Sequence, residues 1–443
     1  MKKARRRAIE RIRSRGGTWW WTAVAVVVPI GLLTALALVL LAVLVDVHDP
    51  GDRLDLVKTG FTIGAGTGGV AALVLTARRQ WSTERAAADQ RHDAAERRLT
   101  ELYLKAIEQL GSDKPPVRHG GVYGLERVAQ NNPEHRQAVV DVLCAYLRTP
   151  YTPPQPPSPR PGVHRPLART GIRPPGRTVS VDAHELLRER EVRLTVQAVL
   201  SRHLHPGPDP DEPVATYWPG IALDLREATL IDFDLRSCRV DRARFERVTF
   251  LGGPSCRGTT FLGDAFFDEA RMVGYSEFAE AVFHGHASFE RAKFERAIFI
   301  GTHFDGSADF TGAHCEEDAH FSGAVFSSDG IFNAMQVGST VSFMGTVFAN
   351  GVEMMDARLG GSSYFHAAKF AGSTMFLGAE FGGAVKFPGA KFRDDLPEVD
   401  GAWARLDLRE TEGDHEWPDG YSLSPAPRSA PGEWALLVAP EAP

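Results

Sequence analysis

Four cysteines, at Cys144, Cys238, Cys256 and Cys315, are the first residues that could do chemistry, and none forms a CxxC pair. In a reducing compartment that spacing reads as isolated thiols rather than bridges or metal ligands. Two His-x-His pairs, His203-Leu204-His205 and His284-Gly285-His286, have no third ligand at a useful distance along the chain, so no metal is expected. His303, His314 and His320 each precede a large residue and should point outward on different sides of the fold. The stretch Gly64-Ala65-Gly66-Thr67-Gly68-Gly69 is formally GxGxxG, but no strand precedes it. Gly60, Gly64 and Gly68 recur every fourth residue, which suits close helix packing in lipid better than a phosphate loop. No Ser-His-Asp set and no carboxylate pair in a cleft can be assembled. The expectation is a non-enzymatic protein with no cofactor and no small-molecule substrate. Charge remains. Between Ala297 and Ala357 there is no Lys or Arg, while Asp305, Asp309, Glu316, Glu317 and Asp318 head a run of carboxylates. These five are the candidate partner-binding residues, against a plain solvated surface as the alternative. Direct binding of nucleic acid through them is not expected, because phosphates need basic partners.

The element that must position these residues is periodic. From Phe304 to Phe392 large apolar residues fall at alternating steps of six and five: Phe304, Phe310, Cys315, Phe321, Phe326, Phe332 and onward. Two positions before most of them stands a small or β-branched residue, such as Ala308, Ala313, Ala319 and Ala324. In a strand, residues two apart share a face, so each small–large pair points one way. The odd step then requires a bend once per unit. Gly312, Gly323, Gly345, Gly378 and Gly389 sit two residues after large positions, where a corner is needed. A helix is excluded, since a step of five would split the rings over two faces and the composition is poor in helix formers. A left-handed β-helix stepping by six throughout does not fit the alternation.

The small-x-large motif stepping by five, as in Ala228-Thr229-Leu230, Ala243-Arg244-Phe245, Ala292-Lys293-Phe294 and Ala297-Ile298-Phe299, resembles the pentapeptide-repeat proteins. The resemblance implies a mainly β fold, a right-handed quadrilateral β-helix with the small and large residues both inside. From Leu225 to Phe392 it amounts to roughly eight coils, about 35–40 Å long at the strand spacing. Leu251 to Thr260, with Gly252-Gly253-Pro254, breaks the pattern and should form a loop or a distorted side. Some members of the family are thought to imitate duplex DNA and bind DNA gyrase, which makes a DNA-mimicking topoisomerase regulator the alternative function.

Around this solenoid the chain divides as follows. Residues 1–18 carry eight Lys or Arg, from Lys2 to Arg15, against Glu10. Residues 19–77 contain two apolar runs, ending near Val45 and Ala77, separated by Asp46, Asp49, Asp52 and Asp55. Length and charge predict a transmembrane helical hairpin with both termini cytoplasmic, hence a multi-pass protein of the bacterial plasma membrane with the lipid bilayer as one partner. Residues 78–148 should hold a charged juxtamembrane helix and a small helical pair broken at Asn131-Asn132-Pro133. Ala106 to Lys114, with Leu125-Glu126-Arg127, is similar to a segment of membrane-attached pentapeptide-repeat proteins of bacteria. Residues 149–180 form a Pro-rich linker, residues 181–205 a further helix, residues 217–395 the solenoid and residues 396–443 a C-terminal cap and tail. Tyr217-Trp218 at one end and Trp403, Leu406 and Leu408 at the other are the expected caps, with Trp417 and Trp434 folding back. The expected role is a membrane-tethered scaffold presenting a rigid face to an unknown protein partner.

Overall fold

The computed structural model describes scattered positions between 28 and 43 and then residues 50–153, 181–393, 396–408, 414–428 and 430–440. The chain divides into two compact units, residues 1–99 and 100–443. In the first, the second apolar run lies in α1 (Pro50–Leu110). The acidic loop expected over 46–56 is therefore helical from Pro50 onward, and the apolar run and the charged stalk are one element. Among the described residues no helix is long and apolar enough to cross a membrane, which corrects the expected two-helix hairpin as far as its second arm goes. Lys58 and the Gly and Thr residues between Thr59 and Gly69 dilute the run, and charge resumes at Arg78. The first run, residues 19–45, lies for the most part outside the described residues.

The second unit is dominated by a solenoid of eight coils with four sides each. Two sides are parallel sheets of eight strands, and the other two merge into one sheet of fifteen strands. We number the sides in chain order. Face I runs from Leu223–Asp224 to Thr374–Met375, and face II from Thr229–Ile231 through His314–Cys315 to Glu380–Phe381. Face III includes Ala319–His320, Val341–Ser342 and Val385–Lys386, and face IV runs from Arg239–Val240 to Lys391–Phe392. The strands are mostly two residues long because a side holds only one small–large pair before the chain must turn.

The inward rings stack from coil to coil at contact distance. On face III, Phe299 and Phe321 lie 5.1 Å apart at 2°, and Phe321 and Phe343 lie 5.0 Å apart at 8°. Rings of opposite faces meet edge to face across the core, as Phe310 of face I and Phe321 of face III do at 5.2 Å and 85°. Both geometries suit the ring quadrupole. Face II is the exception, its inward column mixing Met272, Phe294, Cys315, Val337 and Leu359.

The alternating steps have a local cause. At the five-residue steps the corner residue adopts a left-handed backbone, as at Gly312 (φ +66°) and Gly323 (φ +68°), and the turn closes without an extra residue. At the six-residue steps an added residue makes the corner instead, as in Asp305-Gly306-Ser307. The break at Leu251 to Thr260 is a distorted corner, and the coil continues through it with Cys256 in the core. There Gly252 and Gly253 are both left-handed (φ +93° and +77°), and a Cβ at Gly253 would fall 1.9 Å from the Tyr275 carbonyl oxygen.

Three helices close the first coil: α2 (Pro115–Asn131), α3 (Arg136–Leu147) and α4 (Val181–Leu204). Val122, Leu125 and Val128 of α2, Val140, Leu143 and Leu147 of α3, and Val192, Val196 and Val199 of α4 are buried. The open edge of the first coil is met by two side-chain amides. Gln197 Nε2 donates to the Ile231 carbonyl at 2.7 Å and its Oε1 accepts from the Ile231 amide at 3.0 Å. Gln137 does the same for Ala222, at 2.9 and 3.0 Å. Each glutamine stands in for the missing next strand, so the edge keeps its hydrogen bonds.

The other end is closed by strands. Trp403–Arg405 extends face II in parallel, Trp434–Val438 pairs with it antiparallel, and Ser422–Pro425 pairs with that strand. Trp417 covers the last rings, 5.3 Å from Phe381 and 5.9 Å from Phe387. Of the expected end caps, Trp218 is buried against the helices, whereas Leu406 is exposed and is no lid.

Candidate functional site

The structure separates the five candidate carboxylates. Asp305 sits at the corner between faces IV and I, where its Oδ2 meets His284 Nδ1 at 2.7 Å. Asp309 lies on face I and accepts the Thr311 amide at 2.8 Å. Glu316, Glu317 and Asp318 occupy the diagonally opposite corner, between faces II and III. There Glu317 pairs with Arg296, Asp318 lies 3.7 Å from the same guanidinium and also accepts the Thr340 amide. Asp305 and Asp309 therefore share one surface, and Glu316 to Asp318 belong to another that carries its own cation.

The outward column of face I changes character along the stack. In its first coils arginines and carboxylates are matched: Arg226 with Asp224 at 2.7 Å, Arg244 with Glu246 at 2.7 Å, and Arg291 with Glu269 at 3.3 Å. From coil to coil beyond Asp305 the matching stops. Asp309, Asp329, Glu353 and Asp356 have no Lys or Arg partner among the described residues, and between them stand Ile331 and Met355, followed by Met375 and Leu377. All four apolar side chains are part-exposed. The sequence reading missed this apolar strip, although its signal was present. Met375 and Leu377 flank inward Phe376, and residues on either side of an inward position must point out.

The four thiols are buried, and the imidazoles are dispersed over the helices and faces. Burial pushes the thiols up, to about 12 for Cys144 and Cys238 and about 11 for Cys315, and Cys256 well above its ordinary value. All four are free and buried, a setting in which thiols are unreactive. His203 is a packing residue, its ring 3.8 Å from Trp218 and its nitrogens 2.6 Å from the Thr216 carbonyl and 2.8 Å from Glu126. His303, His314 and His320 project from faces IV, II and III respectively. Among the described residues no three His, Cys, Asp or Glu side chains are grouped to hold a metal.

A cleft of about 920 Å³ between α4 and the first coils is lined by Arg202, His205, Asp234, Arg236, Cys238 and Arg257 among others. Its cations are already engaged: Arg236 with Asp234 at 2.7 Å, Arg257 with Glu280 at 2.6 Å and Arg202 with Glu126 at 2.8 Å. Each of these three arginines is thus paired with a carboxylate among the described residues.

A buried polar network around Arg193 holds the helices together. Arg193 is 1 % exposed and donates to the carbonyls of Leu147 at 2.9 Å and Thr149 at 2.8 Å, and to Glu189 at 2.8 Å. Its guanidinium lies over the Tyr151 ring at 4.6 Å. Burial, followed by the neighbouring Glu189 carboxylate, raises the Tyr146 hydroxyl above its usual range. The network ties α3 and the chain leaving it to α4.

Compared with known proteins, the chain is matched by a family model described as pentapeptide repeats (9 copies), at residues 252–293, 267–314 and 289–336. No curated protein and no solved structure is matched.

Proposed function

We propose that this pentapeptide-repeat β-helix protein is a non-enzymatic scaffold, whose solenoid faces hold a protein partner while its N-terminal residues attach it to the cytoplasmic side of a bacterial plasma membrane. The observation that carries the reading is the ring-filled core, which fixes outward side chains in columns at one coil spacing. A surface ordered before binding loses little conformational freedom on association. Membrane attachment rests on sequence alone: the basic residues of 1–18 suit anionic lipid, and the apolar run of 19–45 is of bilayer-spanning length. A duplex mimic would need an unbroken track of carboxylates, but those of face I are interrupted by Ile331, Met355, Met375 and Leu377, and Glu316 to Asp318 lie at another corner. The scaffold reading is therefore better supported than regulation of a topoisomerase.

The test is affinity capture from membranes with the full chain as bait, beside a chain carrying Met375→Glu and Leu377→Glu. A partner recovered near stoichiometry and lost with the face substitutions is the expected result. A partner retained equally by a chain lacking residues 217–395 would sink the scaffold reading. Flotation with anionic vesicles tests the attachment, which fails if removing residues 1–45 leaves flotation unchanged. A supercoiling assay with gyrase checks the alternative, and a null result at every concentration removes it.

A further inference from the structure

Among the described residues nothing covers the second half of face I, where an apolar strip, Ile331, Met355, Met375 and Leu377, lies beside the carboxylates Asp309, Asp329, Glu353 and Asp356. Such a face suits a segment that is cationic, extended and partly apolar. The chain contains one. Residues 154–180 carry Arg160, Arg165, Arg169, Arg173 and Arg177 with no Asp, Glu or Lys, and Leu167 and Ile172 lie among the arginines. Proline recurs throughout the segment, so its extended form costs little conformational entropy.

The ends of this segment lie at the right place. Arg148 binds Asp224 of face I at 2.7 Å, and the Tyr151 carbonyl accepts the Thr229 hydroxyl at the start of face II at 3.4 Å. The chain therefore departs over the first coil, at the edge where face I meets face II. It returns at Val181, and the Tyr151 hydroxyl donates to the Leu186 carbonyl at 3.3 Å, so departure and return are close together. A loop of this length can go out and back over about 40 Å at the polyproline rise. The unmatched carboxylates lie four to six coils away, about 20–30 Å at the strand spacing. Charge then decides the direction. The first coils offer matched pairs, so the arginines gain most beyond Asp305, where no Lys or Arg competes.

We infer that residues 154–180 dock along face I of their own solenoid, with arginines against Asp309, Asp329, Glu353 and Asp356 and apolar side chains on the strip. This inference stands apart from the scaffold reading, because its test contains no external partner.

The experiment is tryptic cleavage of the full chain. Trypsin cuts after arginine except where proline follows. Arg160, Arg165 and Arg173 precede Pro161, Pro166 and Pro174, so Arg169–Thr170 and Arg177–Thr178 are the reporter bonds. Rates are taken relative to a free peptide of residues 154–180 in the same reaction. At low salt the docked segment should be cut at least about fivefold more slowly than the peptide, and raising the salt to about 0.5 M should remove the protection. The chain with Arg160→Gln, Arg165→Gln and Arg173→Gln leaves the solenoid untouched and should lose the protection at low salt. So should Asp309→Asn, Glu353→Gln and Asp356→Asn together, or Glu353→Gln alone if the triple variant does not fold by circular dichroism. Equal relative rates in wild type and variants overturn the proposal. Protection that survives the face I substitutions overturns it as well, and so does a segment protected only when phosphatidylserine vesicles are added.

Discussion

The two ends of the solenoid solve one problem in opposite ways. At the first coil the exposed strand edge is met by side chains, Gln137 and Gln197, each supplying a donor and an acceptor from a helix. At the last coil it is met by backbone, as Trp403–Arg405 and the two antiparallel strands extend the sheet and Trp417 covers the rings. The first solution depends on a few atoms. The second spreads over a ladder and should tolerate single changes better. In a stacked array each coil holds only its neighbours, so damage at one end should stay local while damage in the middle should not.

The largest effect is expected in the middle. Phe321→Ala removes a ring in contact with Phe299, Phe310 and Phe343 and should cost about 3–5 kcal/mol in urea unfolding. A cost no greater than that of a single end substitution would break the comparison. Next comes Gln197→Leu, which strands the amide and carbonyl of buried Ile231 and should cost about 2–4 kcal/mol. Hydrogen exchange should quicken in the first coils and not in the last. Trp417→Ala should cost less, about 1–3 kcal/mol from lost apolar burial, with quickened exchange confined to the last coils. Equal spread of exchange along the rod in either variant would show that the ends are not separate.

The smallest effect is one of pH at the first coil. A hydrogen bond from the Arg226 side chain, opposed by burial and aided by Arg148, holds the Asp224 carboxyl down to about 2, against about 3.9 unfolded. A lowered folded value stabilises above the unfolded pKa. The contribution of Asp224 is therefore complete above about pH 4 and is lost as the pH falls toward 2. Asp224→Asn should flatten that part of the acid-unfolding curve, and an unchanged curve would mean that the pair adds nothing.

The difference between the interior and the ends also explains what the sequence disclosed. Inward Phe299, Phe321 and Phe343 repeat because each meets the same surroundings, so spacing alone announces them. Gln197 and Arg193 occur once each, and nothing in α4 distinguishes them from solvated polar residues until the first coil is placed against the helix. The five candidate carboxylates part company for a different reason. Asp305 to Asp318 are neighbours along the chain, but fourteen residues pass two corners, and proximity in sequence became opposition in space. Asp309 and Glu353, far apart in sequence, stand two coils apart on one face. The second arm of the N-terminal hairpin was expected from run length and flanking charge, neither of which registers how far Lys58 and the Gly and Thr residues dilute the run.

The pairing register carries a consequence for how such a chain can lengthen or shorten. Beyond Ala308 each face I strand pairs with the one twenty-two residues on, as Ala308 with Gly330 and Gly330 with Val352. Losing twenty-two residues there would remove one rung and leave every later side chain on its original wall. Losing eleven would keep the rings in phase yet turn everything downstream by half a revolution, delivering Met375 and Leu377 to the opposite wall and the closing strands to the wrong edge. The core would accept either deletion, whereas the surface and its terminal closure permit only whole revolutions.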